Sequence, residues 1–184
     1  TVFTDDYDYA ANCLKGAVND NLIHLYNLVR SKCSKSYEIF FRPAINADKV
    51  DIVLASKDKG IVLLNVCEDI DNLKYEYSRL ESIKTYIFES HIKSIKIDSI
   101  INKSVFNCIK ISLYFPYASN NDVNAKISAL NNEKNYDARK KDSRHKDKNY
   151  YAYAIFVTNN DNSIEKFNEI TSRAFKFDYY DELE

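Results

Sequence analysis

Two stretches of this sequence hold residue types that could do chemistry. The first centres on Asp51, set between Val50 and the run Ile52-Val53-Leu54. A carboxylate inside an apolar run is costly to bury unless it is hydrogen-bonded, paired or bound to metal. About one strand length later comes Asn65-Val66-Cys67. Side chains alternate along a strand, so Asn65 and Cys67 share one face and Val66 takes the other. If the two runs form a hairpin, Asp51 falls near the end of that face. The second stretch is Arg139-Lys140-Lys141-Asp142-Ser143-Arg144-His145-Lys146-Asp147-Lys148, six cations against two carboxylates. With Tyr136, Tyr150 and Tyr151 beside it, this run suits phosphate contact and base stacking. Its plain alternative is a solvated surface loop.

Other chemistries are excluded by composition. The 184 residues include 2 Gly and 2 Pro, too few for any Gly-rich phosphate loop. The 4 cysteines, Cys13, Cys33, Cys67 and Cys108, are widely spaced and sit in or beside apolar segments. That pattern reads as buried free thiols in a reducing, cytoplasmic setting. His24, His91 and His145 are far apart and offer no metal-ligand spacing. Lys plus Arg is 26 and Asp plus Glu is 27, so no global field draws the chain onto nucleic acid. No apolar run is long enough to span a membrane, and the acidic start, Thr-Val-Phe-Thr-Asp-Asp, is no signal peptide. The length fits one domain over residues 1–184. Thr1 is a residue from which an initiator Met would be removed, and Leu183-Glu184 reads either as native sequence or as a vector remnant; on the second reading the protein continues past Glu182.

The elements that must position these residues follow from periodicity. Residues 9–31 read as a helix, with Leu14, Ala17, Val18, Leu22, Leu25, Leu28 and Val29 at helical spacings and Asp8 or Asn12 as cap. Tyr37 to Arg42 is β-prone and stops at Pro43. Residues 50–56 and 61–67 read as a hairpin turning at Lys57-Asp58-Lys59-Gly60, where Gly60 is free to take positive φ. A second long helix over 71–92 carries Leu73, Tyr77, Leu80, Ile87 and His91 on one stripe. Residues 105–115 read as a strand, 121–131 as a helix capped by Asn120 or Asn121, 132–149 as a loop, 150–157 as a strand and 162–172 as a short helix started by Ser163. Strands alternating with helices argue an α/β fold, a mixed central sheet flanked by helices.

This order, with Phe41-Arg42-Pro43-Ala44-Ile45-Asn46-Ala47-Asp48-Lys49-Val50-Asp51-Ile52-Val53-Leu54 and then Gly60-Ile61-Val62-Leu63-Leu64-Asn65-Val66-Cys67, resembles the nuclease-related domain family of PD-(D/E)xK nuclease-like proteins over about residues 10–160. The resemblance implies a restriction-endonuclease-like fold, an α-β-β-β-α-β core with β-α additions. It also implies a catalytic plan: two acids hold a divalent metal such as Mg²⁺, and a Lys two residues after the second acid helps activate water. Asp51 matches the first acid and metal ligand. Asn65 stands at the second acid and Cys67 at the Lys. On the following helix Tyr86 matches a family Tyr, but Ser82 replaces its Gln. On the first helix Gly16 is followed only loosely by an acid, Asp20. Asn is a weaker ligand than carboxylate for Mg²⁺, and Cys carries no cationic charge. The expectation is therefore a catalytically degenerate domain without a cofactor, which binds DNA or docks, alongside a helicase module, in a larger DNA-processing or defence protein. Arg139, Lys140, Lys141, Arg144 and Lys146 are its expected nucleic-acid contacts. The alternatives are an active metal-dependent nuclease whose ligands have migrated to Glu68, Asp69, Lys57 or Lys84, and a protein-interaction scaffold.

Overall fold

The computed structural model describes residues 20–33, 35–56, 59–92, 106–160 and 166, with the side chains of 91 and 92 excepted. Helix α1 (Asp20–Lys32) buries Leu22, Leu25, Tyr26 and Val29, the spacing the sequence predicts. The part of the expected 9–31 helix before Asp20, and the expected helix over 162–172 apart from Lys166, lie outside the described residues.

Strand β1 (Glu38–Phe41) is followed by a small hairpin, β2 (Ala44–Ile45) with β3 (Asp48–Lys49). Its two-residue turn places Asn46 and Ala47 at φ of 50° and 60°. Such primed turns usually carry Gly, and an Asn-Ala pair gives little sequence signal, so this hairpin was not expected. Strands β4 (Ile52–Ser56) and β5 (Gly60–Val66) pair antiparallel, as the turn chemistry predicts. Gly60 sits at φ 91°, and a Cβ there would collide with the Cys108 carbonyl oxygen.

After a 3₁₀ turn (Ile70–Asn72), α2 (Leu73–Ile87) buries Leu73, Tyr77, Leu80, Ile83, Lys84 and Ile87 on one stripe. A π turn (Phe88–Ile92) continues it. Strand β6 (Ile109–Phe115) runs parallel to β5, α3 (Asn120–Lys141) returns, and β7 (Ile155–Thr158) runs parallel to β6. The result is a mixed α/β fold with a five-stranded sheet in the order β1-β4-β5-β6-β7. Alternation along β5 sends Ile61 and Leu63 into a core with α2 and α3, and Val62 and Leu64 into a core with α1. Both faces are covered, which is why Gly60-Ile61-Val62-Leu63-Leu64 is almost wholly apolar.

Three expectations are corrected. The strand predicted over 105–115 starts only at Ile109. The helix predicted over 121–131 runs ten residues further, so half of the predicted 132–149 loop is helical. Few apolar residues mark this length, since only Val123, Leu130 and Asn135 are buried. Its ends carry the signal instead. Ser119, not Asn120 or Asn121, caps the start in a reciprocal box with Asp122, and Arg139, Lys140 and Lys141 face the negative end of the helix dipole. The strand predicted from Tyr150 starts only at Ile155. The Tyr150 N–H donates to Asn131 Oδ1 at 2.9 Å and the Ala154 N–H to the Tyr151 carbonyl at 3.1 Å, which makes a turn of the tyrosine stretch.

Candidate functional site

Asp51 lies just before β4, beside the end of β5. Its N–H donates to Asn65 Oδ1 at 2.8 Å, and its Oδ2 accepts the Val66 N–H at 2.8 Å. The Asn65 side chain, wholly buried, turns its Nδ2 to Glu76 Oε2 at 3.2 Å, in the first turn of α2. Arg79 then bridges outward. Its Nη2 donates to Glu76 Oε2 at 3.1 Å, and its Nη1 donates to Asp48 Oδ1 at 2.9 Å and to the Lys49 carbonyl at 3.0 Å. One chain of hydrogen bonds thus runs Asp51–Asn65–Glu76–Arg79–Asp48, tying the β2–β3 hairpin and the β4–β5 hairpin to α2.

Burial raises the Asp51 pKa above 3.8; the Val66 N–H and the charges of Arg42 and Arg79 oppose this, and Glu76 adds to it. Cys67 points into the α2 core and donates Sγ–H to the Asp69 carbonyl at 3.1 Å. Burial, helped by the charges of Glu76 and Asp69, pushes that thiol up to about 12. A thiol raised this far is a poor nucleophile near neutral pH. Burial also works against the charge of Arg79, but the hydrogen bond and charge of Glu76, with Asp48 and Asp51, more than compensate and raise its pKa.

This donor set does not fit a Mg²⁺ ion, which asks for several hard oxygen ligands in near-octahedral array. The Asp51 carboxylate serves a backbone N–H, and Glu76 serves Asn65 and Arg79. Among the described residues no group of three or more His, Cys, Asp or Glu side chains is placed to hold a metal ion. The proposed migrated ligands do not converge here either. Glu68 accepts from Asn21 Nδ2 at 3.3 Å, Asp69 caps the 3₁₀ turn through the Asp71 N–H at 2.9 Å, and Lys84 lies 4.1 Å from the Phe106 ring centroid near the other end of α2. Lys57 is outside the described residues. Ser82, at the family's Gln, donates to the Ser78 carbonyl at 3.1 Å along its own helix.

The basic stretch stands elsewhere. Asn120, at the start of α3, accepts from Thr158 at the end of β7, at 2.8 Å, and Thr158 pairs with Phe115. That is the carboxyl edge of the parallel strands, the edge that holds Asp51 and Asn65. Arg139 is 19 residues further along α3, about 28 Å at 1.5 Å per residue. The expected phosphate contacts therefore stand near the far end of α3 from that edge, while Glu133, six residues before Arg139, still reaches Lys74 in the first turn of α2 at 3.5 Å. Around the basic end, Asn135 holds the chain that follows α3. Its Oδ1 accepts the Lys148 N–H at 3.0 Å and its Nδ2 donates to the Lys148 carbonyl at 2.9 Å. This fixes the amide, so His145 Nε2, 3.0 Å from the same Oδ1, carries the proton and donates. Arg139 pairs with Asp147, while Arg144 lies 3.8 Å from Asp142 with its side chain 93% exposed. Lys140 Nζ lies 4.3 Å from the Tyr136 ring centroid.

Sequence reasoning found Asp51 and Asn65 and missed Glu76, Arg79 and Asp48. A Glu-Arg pair three apart on a helix is a common surface pattern, and only the packing of α2 on the hairpin gives it a partner strand. No family model, no curated protein and no solved structure matches this chain. Among the described residues no helix is long and apolar enough to cross a membrane.

Proposed function

We propose that this chain is a catalytically silent nuclease-like domain, of the restriction-endonuclease-like kind that nuclease-related domains imply, and that it serves as a nucleic-acid-binding or docking module of a larger DNA-processing or defence protein. The connectivity supports the fold reading: a helix, an antiparallel run of β1, β4 and β5, a crossover through α2, and β6 parallel to β5. The observation that carries the functional reading is the closed hydrogen-bond chain at Asp51. Asp51, Asn65 and Glu76, the polar groups that a phosphodiester-cleaving site would offer there, each already serve a partner within the fold. The basic end of α3 is the surface for nucleic acid.

Purified protein is expected to leave supercoiled plasmid intact with Mg²⁺ or Mn²⁺. Metal-dependent nicking that disappears in Asp51→Ala would overturn the silent reading. The same protein is expected to bind DNA with an affinity that falls steeply between about 50 and 200 mM salt, and replacing Lys140, Lys141, Arg144 and Lys146 by Ala should flatten the log–log slope by roughly 3–4. An unchanged slope would remove this end from the interface, and no binding by either protein would favour the protein-scaffold reading.

A further inference from the structure

The far end of α3 is built to display its charges. The helix is 22 residues long, about 33 Å. Its second half stays against the fold as far as Asn135: Glu133 pairs with Lys74 at 3.5 Å, Lys134 lies 5.4 Å from the Tyr151 ring centroid, and Asn135 is buried, whereas Tyr136, Asp137, Arg139, Lys140 and Lys141 beyond it are exposed. The returning chain does not hang loose from this end. Asn131 holds Asn149 and Tyr150, and Asn135 holds His145 and Lys148. Arg144 and Lys146 are thus carried on a segment pegged to the same helix that carries Lys140 and Lys141. Holding cations in place before a ligand arrives lowers the ordering cost of binding.

Tyr136 lies on the helix face turned away from buried Val123, Leu130 and Asn135. It is 55% exposed, and among the described residues it belongs to neither core. Lys140 approaches its ring. A large exposed ring with a cation against it, and with no packing role in the described fold, matches what an unpaired nucleobase requires: a flat apolar face and a neighbouring positive charge for its phosphate. A duplex keeps its base faces stacked on one another and offers none to such a ring.

We propose that this end of α3 takes single-stranded nucleic acid, with Tyr136 stacking on a base and Lys140, Lys141, Arg144 and Lys146 meeting the phosphates beside it. The inference rests on the nucleic-acid-binding reading above and names its ligand class. The test is fluorescence anisotropy with a short labelled oligothymidylate and a duplex of equal length, using wild type, Tyr136→Ala and Tyr136→Phe, each checked for unchanged helical circular dichroism. The single strand should bind more tightly than the duplex. Tyr136→Ala should weaken single-strand binding roughly five- to hundredfold without changing the salt slope, Tyr136→Phe should restore it, and duplex binding should not respond to either. Equal or tighter duplex binding, or indifference of the single strand to Tyr136→Ala, would overturn this inference while leaving nucleic-acid binding intact. Failure of both oligonucleotides to bind would remove the nucleic-acid reading itself.

Discussion

Asn65 and Asn135 are the two buried carboxamides among the described residues, one at the end of β5 and the other in the second half of α3. Both bond to main-chain groups of another segment. Asn65 accepts the Asp51 N–H and donates to Glu76, so its bonds close a polar cluster in which Arg79 meets the carboxylates of Glu76 and Asp48. Asn135 clasps the Lys148 peptide and His145, so its bonds hold a charged segment outward. The same side chain thus fills in one region and presents the other. A buried amide is suited to both tasks because it donates and accepts at once, and carries no charge to desolvate.

Breaking the first amide should have the larger effect. Asn65→Leu strands the Asp51 N–H and removes a donor from Glu76, and is expected to cost roughly 2–4 kcal/mol in urea unfolding. A loss under about 0.5 kcal/mol would mean that the cluster is no keystone of the hairpin–helix contact. Asn135→Ala should cost less, about 1–2 kcal/mol, because the segment it holds is at the surface. Its sign would be local: hydrogen exchange should accelerate over residues 142–149 and leave β4 and β5 protected. Uniform acceleration across the sheet would contradict the division into two independent regions.

The smallest expected effect sharpens the comparison most. Asp51→Asn keeps an oxygen for the Val66 N–H and removes the buried charge, so stability at neutral pH should change by less than about 1 kcal/mol. The pH dependence has a definite sign. Because the folded-state pKa of Asp51 is raised, the native state holds this proton to higher pH than the unfolded chain does. Wild type should therefore lose stability as pH rises from about 4 through that raised pKa, and the Asn variant should lack this loss. The difference between the two proteins should grow over that window in favour of the variant and stay level above it. A difference that grows as pH falls would show a carboxylate stabilised by its partners instead.

How much of this was legible beforehand depended on where the information lay. The β4–β5 hairpin, the α2 stripe and the Gly60 turn were readable because each is a local pattern: alternation, a 3.6-residue repeat, a residue that tolerates positive φ. The length of α3 was not, since residues 132–141 contain one buried position, Asn135, and a polar helix without a stripe looks like a loop. Tyr150 to Tyr153 misled in the opposite sense. Its β-prone residues form a turn because side chains from α3 and Asn149 take its backbone donors.

By itself the sequence determined the α/β class, the strands that are apolar on both faces, and the oddity of an acid at residue 51 followed by Asn65 and Cys67. Those are properties of single residues and near neighbours. Only the tertiary structure decided what became of that oddity. It brought Glu76 and Arg79 from the next helix onto Asn65, turned Cys67 into the core, and set Arg139 about 28 Å along α3 from Asn120. The physical reason is that a hydrogen bond or a desolvated charge depends on which groups meet in space. Residues 51, 65, 76 and 79 meet only because β5 is central and α2 packs back across its end.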